Sequence, residues 1–400
     1  MLTRLASAPP DPLWAITAAF EADSRPDKMD LGLGIYRDDS GRTPVLASVL
    51  TVERQLAAFA PSKAYRPLAG NAAFNAGVTR LLLVGDASRD DRTVTLQTVG
   101  GTGALRMLAE LIATAHPDAT VWLSDPGYLN HRPLMGAAGL KLATYPWRSA
   151  RGVANVDPML DALRAARAGD VVLVQGCCHN PTGLDLPPEG WAALAALCGE
   201  RGLVPLVDLA YHGLGDGLDA DAAGLRCLVD RLDTVLIAAS CSKNMSLYCE
   251  RVGAALAVVP TPAAATSARS VMENIARRTY SMPPDHGAAI AAAILAAPAQ
   301  WHAELDAMRQ RIRAVRAALV DALRLAGAPG ALLDMAHHRG MFSVLPFTPP
   351  QMTALRDRYG LYGTPGGRIN IAGIPACRVG QVADAIAAIA LQTEGIMQAA

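Results

Sequence analysis

Apolar residues follow two rhythms along this chain. Over Val45–Ala60 and Asn71–Val84 they recur at helical spacing, and Asp11-Pro12 reads as an N-cap with proline at the first helical position, opening a helix through Ala22. From Thr93 onward, short and nearly continuous apolar runs alternate with amphipathic stretches. The runs Thr93–Val99, Thr120–Ser124, Lys141–Tyr145, Val171–Gln175, Leu203–Val207, Thr234–Ala239 and Ala254–Val259 are expected strands. Helices such as Gly103–Ala115, Pro158–Ala168 and Pro188–Arg201 separate most of them. Strands without polar alternation are buried on both faces, so the rhythm predicts an α/β fold with a mostly parallel seven-stranded sheet covered by helices.

The tract Ala288–Ala297 is mostly alanine and is closed by Pro298; it is far shorter than the roughly 20 residues that cross a bilayer and reads as a buried helix. A long amphipathic helix over Ala299–Leu325 sets Trp301, Leu305, Met308, Ile312, Val315 and Leu319 on one stripe. An α+β tail follows, with strands near Phe342–Leu345 and Arg368–Ile371 and helices near Gln351–Arg358 and Gly380–Leu391. The expected organisation is a proline-rich arm and part of a smaller domain over 1–45, a large domain over 46–304, and the rest of the smaller domain over 305–400.

Composition narrows the function. Thirty-six basic against 36 acidic residues give no net charge, which removes any general electrostatic reason to expect nucleic acid or an anionic membrane as partner. Pro9, Pro10 and Pro12 interrupt any apolar leader near Arg4, and the seven cysteines show no CxxC spacing. A cytoplasmic protein with reduced thiols, acting on small molecules, is the expectation.

Ligands of parallel α/β sheets bind beyond the carboxyl ends of strands. Four polar stretches stand there. Gly100-Gly101-Thr102-Gly103 follows a strand and opens a helix, a setting that favours phosphate, while Arg106 replaces the third glycine of a dinucleotide loop and no Walker A lysine follows. Cys177-Cys178-His179-Asn180-Pro181-Thr182-Gly183 offers Asn180 as a donor and Pro181 as a candidate cis bond. Zinc on Cys177, Cys178 and His179 is disfavoured, because three consecutive residues rarely converge on one tetrahedral ion. Asp208 ends an apolar strand with Tyr211 three residues on, and reads either as a helix cap or as a functional carboxylate. Ser240-Cys241-Ser242-Lys243-Asn244 presents a lysine, with Arg251 downstream. A phosphate turn, an Asn, an Asp with a Tyr, and a lysine able to form a Schiff base together meet the needs of pyridoxal phosphate.

These stretches, with Asp30-Leu31-Gly32-Leu33-Gly34-Ile35-Tyr36, Ser124-Asp125-Pro126, Arg251-Val252-Gly253, Tyr280-Ser281 and Gly367-Arg368-Ile369-Asn370, strongly resemble the aspartate and aromatic amino-acid aminotransferases, class I of the pyridoxal-phosphate enzymes. The resemblance implies that Lys243 carries the coenzyme and moves the proton, that Asp208 pairs with the pyridine nitrogen, and that Asn180 and Tyr211 donate to the phenolic oxygen. It places Gly101, Thr102, Ser240 and Arg251 at the phosphate, joined by Tyr65 of a second subunit in a homodimer. It assigns Arg368 to the substrate α-carboxylate, Arg277 of the second subunit to a distal carboxylate, Gly34, Asn180 and Tyr128 to the substrate pocket, and Tyr128 also to the coenzyme ring. The implied reaction is a ping-pong exchange between an aromatic or dicarboxylic amino acid and a 2-oxo acid, leaning aromatic. A lyase or decarboxylase on the same coenzyme, or aspartate transamination proper, are the alternatives. A DNA-binding regulator would need an added helix-turn-helix. Tyr128 stands where the family usually has tryptophan, Gln175 where histidine is common, and Met245-Ser246 replaces Phe-Gly.

Overall fold

A computed structural model describes residues 2–6, 11–59, 62–84, 91–147 and 154–398; Pro9 and Pro10 of the arm lie outside them. Two compact units emerge, one of residues 44–311 and one combining 1–43 with 312–400.

The larger unit is built on a seven-stranded sheet in the order Thr93–Val99, Val252–Val258, Val235–Ser240, Val204–Leu209, Val171–Gln175, Thr120–Asp125, Lys141–Pro146. All strands are parallel except Val252–Val258, which is antiparallel to both neighbours. The central strands are buried throughout because helices cover both faces, so each reads as an unbroken apolar run. Helix Gly100–Ala115 lays Leu105, Leu108, Ala109 and Ile112 onto the sheet, joined in one core by Met272, Ile275 and Ala276 of helix Pro262–Thr279. The alanine-rich tract forms the helix His286–Ala296, with Ala288, Ile290, Ala291 and Ile294 buried. Helix Ala72–Leu83 comes so close to it that a Cβ on Gly77 would stand 3.0 Å from Leu295.

Two strand boundaries differ from the sequence expectation for one reason. The strands expected to end at Val207 and Ala239 continue to Leu209 and Ser240. Their terminal polar side chains are held in the buried site described below, so polarity did not mark exit from the sheet there. The helix expected from Gly103 begins at Gly100, and that expected over Pro158–Ala168 runs Val156–Leu163.

In the smaller unit Phe342–Val344 pairs antiparallel with Arg368–Asn370, and Met29–Asp30 pairs parallel with Leu361–Tyr362. Leu319, Leu323, Leu355, Ile371, Val382 and Ile386 form its core. The long helix Ala299–Leu325 begins in one unit and ends in the other. Among the described residues, no helix is long and apolar enough to cross a membrane.

Candidate active site

The carboxyl ends of the parallel strands share one edge, and the reversed strand Val252–Val258 brings Arg251 back to it. Gly100 has φ +67° and donates its N–H to the Arg251 carbonyl at 2.8 Å. A Cβ on Gly100 would stand 2.6 Å from Arg251 Nη2, and one on Gly101 3.1 Å from Ser240 Cβ. Arg251 Nη1 donates to Ser242 Oγ at 3.3 Å and to the Tyr248 carbonyl at 3.0 Å. No side chain caps the helix Gly100–Ala115, and Thr102 is exposed on its first turn. A helix N-terminus, a guanidinium and two hydroxyls around a floor cleared of side chains make a cradle suited to a phosphate monoester.

The neighbouring strands supply the groups for a ring. Asp208 is 5% exposed and faces His131 through a 2.8 Å Oδ2–Nε2 contact; His131, 1% exposed, has no hydrogen-bond partner at Nδ1. A buried carboxylate is costly to hold without such a partner. This excludes the helix-cap reading of Asp208, which lies inside its strand with no helix until Leu218. Tyr128 stands edge-on to His131, with centroids 5.2 Å apart. Asn180 Nδ2 donates to the Tyr211 hydroxyl at 3.1 Å. Gln175 clamps Asn180 in both directions: its Oε1 accepts the Asn180 N–H at 2.8 Å and its Nε2 donates to the Asn180 carbonyl at 2.9 Å. The Asn180-Pro181 bond is cis. Half-buried Lys243 holds its ammonium 5.4 Å from the Tyr211 ring centroid. Its turn is anchored by fully buried Trp301, whose Nε1 donates to the Asn244 carbonyl at 2.7 Å. A primary amine, a buried carboxylate and a donor pair beside a phosphate cradle fit pyridoxal phosphate.

His179 is also buried, but its ring nitrogens meet Ser124 Oγ at 3.0 Å and Thr182 Oγ1 at 2.9 Å while its face stacks on Trp147 at 4.3 Å. Burial, and secondarily the charge of His131, hold its pKa well below the ordinary imidazole value. Cys177 and Cys178 approach Asp221 rather than His179; Asp221 accepts backbone N–H groups of Gly213, Gly215 and Asp216 at 2.7–2.9 Å. Its carboxylate thereby organises that turn.

In the smaller unit Arg368 is 6% exposed; its Nη2 donates to the Gly32 carbonyl and its guanidinium lies 4.5 Å from the Phe342 ring centroid. Gly34 abuts the same ring. In the larger unit, Tyr65 is 94% exposed, and Arg277, which donates to Ser281 Oγ at 2.7 Å, is exposed as well. His131 is the residue that sequence reasoning missed. It follows the strand Thr120–Asp125 at the same sheet edge, the one signal that marks it.

The family model Aminotransferase class I and II matches residues 26–386. The aromatic-amino-acid aminotransferase of Paracoccus denitrificans is 43% identical over 379 residues, 94% of this chain and 96% of that protein. The aspartate aminotransferase of Escherichia coli strain K12 is 40% identical over 396 residues, 97% of this chain and 100% of that protein. A crystal structure of the aromatic-amino-acid aminotransferase from Burkholderia pseudomallei, covalently bound to pyridoxal phosphate, superposes with a TM-score of 0.95 at 39% identity, covering 98% of this chain and 99% of that one.

Proposed function

The chain belongs to the class I and II aminotransferases, and from that membership we propose that it exchanges the amino group of an aromatic or dicarboxylic L-amino acid with a 2-oxo acid, preferring aromatic side chains. It is a transferase that uses pyridoxal phosphate. When bound, that coenzyme supplies a carbonyl that captures amines and a conjugated ring that accepts the electrons left by a broken Cα–H bond.

In the proposed mechanism Lys243 would hold the coenzyme covalently; displaced by substrate as a free amine, it would carry the proton between the substrate Cα and the coenzyme's C4′, from Cα to C4′ in the first half of the exchange and back in the second. A lysine does this only when neutral, which its release as a free amine provides. Asp208 keeps a proton on the pyridine nitrogen, and His131 Nε2 fixes the orientation of that carboxylate. The observation that carries the reading is this buried carboxylate–imidazole pair beside the Asn180–Tyr211 donor pair and the Lys243 amine. Asn180 and Tyr211 would donate to the phenolic oxygen. Gly101, Thr102, Ser240 and Arg251 receive the phosphate, and Arg368 takes the α-carboxylate with a planar fork that a lysine could not reproduce. Gly34 and Tyr128 border the substrate.

The exposure of Tyr65 and Arg277 supports a homodimer in which each reaches the partner's site, Tyr65 to the phosphate and Arg277 to a distal carboxylate. The seven free cysteines support a reducing compartment, the cytoplasm. The aromatic preference is supported by two relatives at 43% and 41% identity that are both named aromatic-amino-acid aminotransferases, with an aspartate aminotransferase at 40%. A half-reaction screen tests the proposal. Phenylalanine, tyrosine and tryptophan should each bleach the bound coenzyme in the absence of oxo acid, and 2-oxoglutarate should restore it. Aspartate turnover an order of magnitude faster than any aromatic would favour aspartate transamination; bleaching that no oxo acid reverses would overturn transamination.

A further inference from the structure

Building on the assignment of Arg368 to the α-carboxylate, we infer that Phe342 is the residue that positions that guanidinium, and that Gly34 is kept without a side chain so that the ring can stay in place. The strand pairing dictates the meeting. Arg368 lies opposite Val344 and Asn370 opposite Phe342, so Phe342, two residues from Val344, shares a sheet face with Arg368 and is its diagonal neighbour. That separation is within reach of a long side chain and an aromatic one, and here the guanidinium carbon lies 4.5 Å from the ring centroid. Phe342 is 1% exposed and Arg368 6%, a desolvated setting in which a cation over a ring face is held most strongly.

The tip of the ring abuts the Gly34 backbone. A Cβ built on Gly34 would fall 2.8 Å from Phe342 Cζ and 3.5 Å from Cε1. The Gly34 backbone is itself pinned. Fully buried Asn370 donates from Nδ2 to the carbonyls of Leu33 at 2.8 Å and Ile35 at 2.7 Å, while Asp30 Oδ1 accepts the N–H groups of Gly32 at 2.9 Å and Leu33 at 3.0 Å. The same segment offers the Gly32 carbonyl to Arg368 Nη2. One short stretch of chain therefore fixes the guanidinium at a nitrogen and, through the Phe342 ring, across a face. Fork-to-carboxylate recognition depends on the orientation of the guanidinium plane, so Phe342 acts on substrate through Arg368.

Every amino acid and every 2-oxo acid presents the same carboxylate, which sets the signature. Phe342→Leu keeps bulk and removes the ring face; it should raise KM for phenylalanine, aspartate and 2-oxoglutarate together by roughly five- to thirtyfold, with kcat changed less than threefold. Gly34→Ala, which drives a methyl into the ring, should act in the direction of the leucine variant. Calorimetric binding of 3-phenylpropionate, a carboxylate without an amine, should weaken by the same factor as KM, with the melting temperature checked for each variant.

Arg368→Ala separates the two claims. If it weakens 3-phenylpropionate and Phe342→Leu does not, the inference about Phe342 fails while the role of Arg368 stands. If neither weakens it, the assignment of Arg368 is wrong. A KM change for the aromatic substrate alone would make Phe342 a side-chain selector and overturn the inference. Should Phe342→Leu not fold, Gly34→Ala is decisive: unchanged affinity for 3-phenylpropionate overturns the inference.

Discussion

Gly100→Ala probes the phosphate cradle at the point where backbone and ligand chemistry meet. Gly100 sits at φ +67°, so an alanine there is strained by roughly 1–2 kcal/mol. Its methyl would also stand 2.6 Å from Arg251 Nη2, and roughly 1 Å of retreat restores ordinary contact. The guanidinium is the far end of a flexible side chain, so the fold tolerates its movement; the anion site does not. Displacing one charge-assisted hydrogen bond costs about 1.5–3 kcal/mol, a tenfold to roughly hundredfold loss of coenzyme affinity. The assay is titration of apoenzyme with pyridoxal phosphate and, separately, with pyridoxal, which lacks the phosphate. The variant should lose affinity for the phosphorylated form far more than for pyridoxal. Equal losses for both, or none for either, would refute the placement of the phosphate at Gly101 and Arg251.

Asp208→Asn should leave the coenzyme bound while kcat falls about a hundredfold or more, since the amide cannot hold the pyridine nitrogen protonated; a fall in affinity with kcat preserved would contradict that role. Ser246 adopts φ +52° with its buried Oγ unpartnered, so Ser246→Gly should raise stability by about 1 kcal/mol, seen as a higher melting temperature. A lower one would show that the strain is absent. His179 and His212 both have pKa values lowered chiefly by burial, so each takes up a proton less readily in the fold than an unfolded imidazole, which does so below about pH 6.5. Stability should therefore be lost as pH falls below about 6.5, by at most about 1.4 kcal/mol per pH unit for each histidine. His179→Gln should make that decline shallower in denaturation curves at pH 7.5, 6.5 and 5.5, and an unchanged decline would count against a neutral His179.

Most of the sheet could be read from the chain because strands buried on both faces appear as solid apolar runs, and Thr93–Val99 and Val171–Gln175 were delimited to the residue. Where a functional side chain ends a strand, the same logic misplaces the boundary: Asp208 and Ser240 are polar yet remain in the ladder. The paired strands Met29–Asp30 and Leu361–Tyr362 are two residues long, too short for any period, and depend on a partner more than 300 residues away. Lys243, Asp208 and Asn180 were legible because each follows or ends a strand at one edge of the sheet, whereas Arg251 precedes the strand Val252–Val258 and reaches that edge because the strand runs antiparallel. His131 was not, since its meaning comes from a carboxylate 77 residues later. The ring of His179, isolated beside two cysteines in sequence, looks like a candidate ligand and proves to be occupied by Ser124 and Thr182.

The central claim is that one amine, that of Lys243, carries the coenzyme. Reduction of the holoenzyme with borohydride, followed by proteolysis and mass spectrometry, should find the coenzyme's mass on the peptide containing Lys243 and on no other, and Lys243→Ala should abolish the label. A label on a different lysine, or none on wild-type protein incubated with pyridoxal phosphate, would contradict the account.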